Sequence, residues 1–360
     1  MSARNARRNQ IIQGVISLIV VVAIFWFVLP KIADYGEVWR TIKAMTGLEV
    51  GVLIFFAAFN LWTYLPLNMS VLPGLRTGEA FVANNASTAV ANTLPAGGAL
   101  GIGVNFGFFR SWGFDNAAIT LALLVSGILN TFVKLGLPII ALAILVLQGD
   151  ASGALVTAAL VGVVILALAV GLFGAMLRTD ALARRIGDGL GRFLSFFMRL
   201  VRKPALVGLG ERAVGFRRQA ITLLRKRGWY ATGATILSHI SLYLVLLISL
   251  RQVGVSEEEV SWAVVLAAFA FGRLLTAVPI TPGGLGVIEL GYVVALSVGQ
   301  NDTTTAQITA AVLVFRALTF LPPILIGAFC YLYWQRKMSW RHPVGTRPSL
   351  AAPVPDSTGT

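Results

Sequence analysis

Long apolar segments separated by short polar or charged segments dominate the pattern of this chain. A helix that crosses a bilayer needs about 20 mostly apolar residues. The first such run follows three arginines, but no small-residue cleavage site precedes Lys31, so we interpret it as an uncleaved span and not as a signal peptide. The pattern predicts six spans, at residues 11–29, 50–72, 117–147, 151–177, 229–250 and 306–334.

Two further apolar stretches, 80–110 and 260–299, are interrupted by proline and glycine. The arm 80–94 provides only about 22 Å of helix at about 1.5 Å per residue, which is short of the roughly 30 Å hydrocarbon core. Irregular backbone at that depth survives only inside protein or beside a wet cavity. We therefore predict two re-entrant hairpins, whose tips are formed by Gly97, Gly98, Gly283 and Gly284.

The two hairpins and the spans around them resemble each other. Pro-Ala-Gly-Gly-Ala-Leu-Gly begins at Pro95 and Pro-Gly-Gly-Leu-Gly begins at Pro282, and Ala-Ile-Thr at 118–120 matches Gln-Ile-Thr at 307–309. The pattern predicts an all-α polytopic membrane protein with about six full spans and two Pro/Gly-tipped re-entrant hairpins, arranged as inverted repeats at about 50–147 and about 229–334. Such repeats place a binding site near the bilayer midplane. Chance similarity between glycine-rich apolar segments is the alternative.

Composition narrows the function classes. The chain is 57% hydrophobic and only 12% charged, whereas soluble domains carry about 25% charged residues. This excludes a soluble enzyme, a nucleic-acid binder and a disordered protein. One cysteine and two histidines argue against a disulfide framework and a metal site. We therefore assign no catalytic residue, no metal site and no cofactor.

Basic residues predict the orientation of the chain. With the N-terminus (1–10) in the cytoplasm, 22 Lys and Arg residues lie inside, four lie outside and three lie within the membrane. The positive-inside rule favours this topology over its inverse. We expect a multi-pass protein of the cell (inner) membrane with both termini cytoplasmic, and a transmembrane domain over 11–335. We also predict an interfacial helix within 31–49, a basic cytoplasmic linker at 178–228 and a disordered tail at 336–360.

Charged residues inside the membrane mark the candidate site. Arg273 precedes the second hairpin tip and Glu289 follows it at similar depth, while Arg316 lies near the middle of the last span. Charges at the bilayer centre cost at least about 2.5 kcal/mol and are usually paired and functional. We predict a cluster of these three residues that binds a phosphate. The structural alternative is an Arg–Glu pair that only fixes the hairpin to the last span.

Polar residues of the first repeat complete the predicted site. Asn85, Thr88 and Asn92 share one helix face, and Lys134 adds a cation in the following span. The backbone N–H groups at the hairpin tips are candidate phosphate donors. Alternatively, Asn and Thr serve as interhelical hydrogen-bonding groups, and the tips are structural turns.

The second hairpin and the last span carry a recognisable motif. The run Pro279-Ile-Thr-Pro-Gly-Gly-Leu-Gly-Val-Ile-Glu289, followed by Val314-Phe-Arg316-Ala-Leu and Pro322-Pro323, resembles the flippase-like transmembrane domain of lysylphosphatidylglycerol synthetases over residues 10–335. The first half departs from the family pattern at 96–99 and 127–130. The resemblance implies movement of a lipid between leaflets. We expect a stand-alone membrane protein that lacks the soluble synthetase domain.

Three functions remain open at this point. The first is a flippase or translocator for an anionic phospholipid or a lipid-linked precursor, with no nucleic-acid partner. The second is a membrane-embedded, glycosyltransferase-like enzyme of envelope lipid synthesis, although the only clustered carboxylates in the first outside loop are Asp34 and Glu37. The third is a non-catalytic protein partner of an envelope-synthesis complex. We favour the first.

Overall fold

The computed structural model describes residues 35–94, 96–148, 153–200, 204, 208–276 and 281–347. Regular structure in this part of the chain is helical, and a single β-bridge joins Trp112 to His342. Two short 3-10 turns lie at Pro282–Gly284 and Met338–Trp340. The helices are α1 (Tyr35–Ala44), α2 (Gly47–Val71), α3 (Thr77–Thr93), α4 (Gly97–Ser111), α5 (Asn116–Gln148), α6 (Gly153–Arg178), α7 (Asp180–Leu200), α8 (Leu209–Gln252), α9 (Trp262–Leu275), α10 (Val287–Leu296) and α11 (Asp302–Arg336).

Five helices in the described residues are long and apolar enough to cross a membrane, namely α2, α5, α6, α8 and α11. They correspond to the last five predicted spans. The predicted first span, 11–29, and the predicted N-terminal segment, 1–10, lie outside the described residues. The chain is an all-α polytopic membrane protein, as the hydrophobic pattern predicts.

Helices α2 and α8 pack against each other in opposite directions. The C-terminal part of α2 shares a core with Ala231 and Ala234, whereas Phe56 packs against the core that contains Leu246 and Leu250. Between these two ends, where α2 crosses α8, small and polar residues form the contact between the helices. Asn60 Nδ2 donates to the Ser241 hydroxyl at 2.8 Å, a type of contact that replaces missing hydrophobic attraction between helices in lipid.

The two hairpins start from opposite ends of the bundle. Helices α3 and α4 form hairpin 1, and its base packs in a core that also holds Leu223 of α8 and Cys330 of α11. Helices α9 and α10 form hairpin 2, and its base packs with Leu250 and Ile308 in a separate core. We call the first end the linker end and the second the far end.

The hairpin of each repeat packs on a long helix of the other repeat. Helix α3 of hairpin 1 packs on α11 of the second repeat, and α9 of hairpin 2 packs on α5 of the first. The 3-10 turn at the tip of hairpin 2 contacts both α3 and α4. The two tips therefore meet inside the bundle, which is the arrangement expected of inverted repeats.

The basic linker is largely helical. Helix α7 packs against α8, which runs without interruption for 44 residues, or about 66 Å at about 1.5 Å per residue. Asp180 at the start of α7 accepts hydrogen bonds from Arg217 at 2.7 Å and Arg218 at 2.6 Å. The hydrogen bond from Arg218 lowers the pKa of Asp180. Helix α7 and the first part of α8, which form the described part of segment 178–228, thus pack side by side.

The segment 31–49, for which the sequence predicts an interfacial helix, contains the helix α1. It packs on α11, where Ile42 contacts the small residues Ala306 and Ala310. Trp39 remains exposed. One face of this short helix is therefore attached to the bundle, which the amphipathic pattern alone does not indicate.

The tail differs from its prediction over residues 337–347. His342 N–H donates to the Ser111 carbonyl, and Gly345 N–H donates to the Gly113 carbonyl, both at 2.9 Å. Arg347 forms a bidentate ion pair with Glu79, at 2.6 and 2.8 Å, that is almost fully buried. The prediction of disorder is therefore wrong for residues 337–347, because proline content says nothing about a long-range ion pair. Residues 348–360 lie outside the described residues.

Candidate functional site

A cavity of about 680 Å³ lies where the two hairpin tips meet. Helices α2, α5, α8 and α11 form the rest of its wall. It is bounded by the linker-end core on one side and the far-end core on the other, so it occupies the middle of the bundle. The predicted site residues among its lining are Thr88, Asn92, Gly97, Gly98, Lys134, Arg273, Gly283, Gly284 and Arg316.

Hairpin 1 contributes neutral polar groups. Asn84, Thr88, Ala91 and Asn92 line the cavity and lie on one face of α3 at helical spacing. The Asn85 side chain, by contrast, is fully buried and donates to the Phe81 carbonyl at 2.9 Å. The cavity face is thus centred on Asn84 and Thr88. Of the three residues predicted to share one face of α3, Thr88 and Asn92 therefore line the cavity and Asn85 does not.

The tip of hairpin 1 is closed by small residues. Ala96 has a positive φ of 56°, and a Cβ on Gly97 would overlap the Ala91 carbonyl, whereas nothing lies within 4 Å of a Cβ on Gly98. Glycine is therefore sterically required at Gly97. The N–H groups of Gly97 and Ala99 already donate to carbonyls of the same turn, so these two groups are not free phosphate donors.

The tip of hairpin 2 contacts both hairpin 1 and α11. Gly283 and Gly284 have positive φ angles of 58° and 71°, which glycine adopts without steric cost. A Cβ on Gly283 would lie 3.1 Å from Asn92 Oδ1 and would also overlap the ring of Phe320. The Gly283 carbonyl accepts a hydrogen bond from Arg316 at 3.0 Å. Gly284 N–H donates to the Thr281 carbonyl at 3.0 Å.

Only two members of the predicted charged cluster are in contact. Arg316 Nε donates to Glu289 Oε1 at 2.7 Å, with 14% and 2% of the two side chains exposed. The second carboxylate oxygen, Oε2, is buried without a hydrogen-bond partner in the described structure. Arg273 makes no ion pair with Glu289, so the prediction of a three-residue cluster holds only for Glu289 and Arg316.

Two cations face the cavity without a carboxylate partner. The Arg273 guanidinium has no hydrogen-bond or ion-pair partner among the described residues, and its Nε is buried. Lys134 Nζ donates only to the Thr276 hydroxyl, at 3.2 Å. No Asp or Glu is among the described lining residues. The three cations and the single buried carboxylate leave an excess of two positive charges.

Sequence reasoning missed several residues of the wall. Asn60 is a polar residue inside a predicted span, which is a sequence signal for a functional or packing role. Phe320 lies under the Arg316 guanidinium at 4.9 Å, a cation–π contact that no sequence pattern reveals. The lining residues absent from the prediction include Asn60, Tyr64, Thr276, Thr281, Thr319 and Phe320.

Comparison with protein-family models identifies the family of this chain. The sequence matches the family described as the lysylphosphatidylglycerol synthase TM region over residues 14–327. The chain belongs to this family. The matched residues include both hairpins and every residue that lines the cavity. Membership places the chain among membrane proteins of the lipid-synthesis and flippase type. No match was found among curated proteins.

Proposed function

We propose that this protein moves an anionic phospholipid, or an anionic lipid-linked precursor, between the two leaflets. The observation that carries the proposal is the positive excess in the cavity between the hairpin tips. Arg273 and Lys134 face this cavity with no carboxylate beside them. Buried charges without partners are costly, so a site of this kind favours an anionic ligand that supplies the missing charge.

The ligand chemistry follows from the donor set. A guanidinium binds a phosphate bidentately, and a lysine ammonium adds a point charge. Neutral amide and hydroxyl groups of Asn84, Thr88 and Asn92 face the same space. Because the described lining contains no carboxylate, the cavity favours a headgroup of net negative charge over one that carries a cationic aminoacyl group.

The architecture supports movement across the membrane and not binding alone. Hairpin 1 approaches the cavity from the linker end and hairpin 2 from the far end. Displacement of one tip while the other remains in place would expose the same cavity to one side at a time, as in other inverted-repeat transporters. Under this proposal the chain makes and breaks no covalent bond.

Reconstitution of the purified protein in liposomes tests the proposal. We expect movement of a fluorescent phosphatidylglycerol between leaflets, and much slower movement of a phosphatidylcholine analogue. Arg273→Gln should slow phosphatidylglycerol movement about ten- to hundredfold, because a hydrogen bond to a charged group contributes about 1.5–3 kcal/mol. Arg110→Gln is the matched control, since Arg110 is exposed and outside the cavity lining.

Two results would overturn the proposal. One is equal loss of movement in the Arg273 and Arg110 variants, which would indicate a general effect of net charge. The other is the absence of lipid movement together with sugar transfer from a lipid-linked donor, which would support the enzyme alternative.

A further inference from the structure

A second cavity, of about 620 Å³, opens at the linker end between α2, α8 and the first residue of α3. It is separate from the central cavity, since the two share no lining residue. We call it the interfacial groove. Its lining residues are Trp62, Leu65, Pro66, Met69, Ser70, Thr77, Lys226, Arg227 and Tyr230.

One wall of the groove is an apolar stripe along α2. Trp62, Leu65, Pro66 and Met69 follow the spacing i, i+3, i+4, i+7, which places them on one helix face. Trp62 and Met69 are separated by about 10 Å along the helix at about 1.5 Å per residue. That length matches the upper part of an acyl chain.

The opposite wall marks the boundary between membrane and water. Tyr230 of this wall and its neighbour Trp229, which does not line the groove, are 58% and 68% exposed, and their ring centroids lie 3.6 Å apart. Exposed Trp and Tyr residues of this kind settle at the level of the lipid headgroups. Lys226 and Arg227 lie just before them in α8, where the helix leaves the predicted span. The cationic end of the groove is thus at headgroup depth.

The two cations of the groove have no carboxylate partner among the described residues, and no Asp or Glu is among its described lining. This contrasts with Arg217 and Arg218 in the same helix, both of which pair with Asp180. The positive charge of Lys226 and Arg227 therefore remains available to a ligand. It lies directly beside the apolar stripe.

We infer that the interfacial groove binds one anionic phospholipid from the leaflet at the linker end. The phosphate contacts Lys226 and Arg227, and an acyl chain lies along Trp62, Leu65 and Met69. A basic residue near an anionic membrane surface strengthens such binding about fivefold. The site does not depend on lipid movement by the protein, because it is formed by α2 and α8 outside the central cavity.

Native mass spectrometry of the full chain in detergent tests this inference, with phosphatidylglycerol and phosphatidylcholine as added lipids. We expect the double variant Lys226→Gln/Arg227→Gln to bind one phosphatidylglycerol fewer at concentrations that fill the wild-type site. Its affinity should fall about tenfold or more. Arg273→Gln should leave this binding event intact, which separates the groove from the central cavity.

The matched control is Arg212→Gln/Arg225→Gln. It removes the same charge from exposed positions of α8 that do not line the groove. Equal loss of phosphatidylglycerol in both double variants would indicate diffuse attraction and overturn the inference, as would equal binding of phosphatidylcholine by the wild type. Thermal unfolding of each variant checks folding, since substitutions at exposed positions usually change stability little.

Discussion

The two hairpins share one topology but are held in different ways. In hairpin 1 the arms approach closely because glycine replaces larger residues. A Cβ on Gly101 would lie 2.8 Å from the Ser87 carbonyl, and one on Gly97 would overlap the Ala91 carbonyl. Hairpin 2 also contains a close approach, since a Cβ on Gly272 would overlap the ring of Tyr292, and it adds the buried ion pair of Glu289 with Arg316. Steric fit therefore acts in both hairpins, and hairpin 2 adds an electrostatic contact to α11 near its tip.

The two hairpins also differ in the charged residues that they carry along their arms. No charged residue lies between positions 80 and 109 of hairpin 1, whereas hairpin 2 carries Arg273 and Glu289. The cations that the first repeat and α11 add to the cavity wall are Lys134 and Arg316. The comparison shows how inverted repeats with equal folds can divide their roles. Hairpin 1 supplies a neutral polar wall, and hairpin 2 supplies a charge to which a ligand would respond.

The largest expected effect is a loss of stability when the ion pair between hairpin 2 and α11 is broken. Arg316→Gln should lower the free energy of unfolding by about 3–5 kcal/mol, because Glu289 would remain buried without its partner. Thermal unfolding in detergent measures this. The double variant Glu289→Met/Arg316→Met removes both charges and should recover most of the stability, but not lipid movement. If Arg316→Gln unfolds like the wild type, hairpin 2 is not held by this pair.

The base of hairpin 1 provides the next test, because it does carry a buried ion pair. Arg347→Gln should cost about 3 kcal/mol, since Glu79 has 1% of its side chain exposed. Residues 337–347 should then become sensitive to protease. Arg336→Gln, at an exposed position of α11, should change neither property. Loss of lipid movement without loss of stability in Arg347→Gln would contradict a purely structural role for this contact.

Substitutions at two neighbouring glycines test the close packing of the arms of hairpin 1. Gly97→Ala should destabilise the protein by about 1–3 kcal/mol, because the added methyl group has no space beside the Ala91 carbonyl. Gly98→Ala has open space and should be neutral or stabilising by up to about 1 kcal/mol. Equal unfolding temperatures for the two variants would show that the arms do not pack as closely as described.

The smallest expected effect is on the rate of lipid movement, and it distinguishes the residues of α3 that line the cavity from those that pack against other helices. Asn92→Ala should slow lipid movement about three- to tenfold, the effect of losing one hydrogen bond worth about 0.5–1.5 kcal/mol. Asn85→Ala should lower stability but leave movement per folded molecule unchanged, because Asn85 is fully buried away from the cavity. The reverse result would restore Asn85 to the site and displace the cavity face proposed for α3.

The amino-acid sequence alone was sufficient to predict the membrane-spanning helices and the hairpin tips. Hydrocarbon tolerates only backbone that is internally hydrogen-bonded, so apolar length alone predicts the five spans seen here. The interruptions at Gly97 and Gly283 likewise predict the hairpin tips, since few other residues permit such turns. The cost of a charge at the bilayer centre was enough to single out Lys134, Arg273 and Arg316, all of which line the cavity.

Only the tertiary structure decided which of these groups meet. Successive residues of a helix differ by about 100° in direction, so a small rotation of α3 puts Asn84 in the cavity and Asn85 against its neighbours. The choice of Arg316 over Arg273 as the partner of Glu289 depends on how α10 packs on α11. The pairing of Glu79 with Arg347 joins positions that are 268 residues apart, and no local pattern encodes a contact of that range.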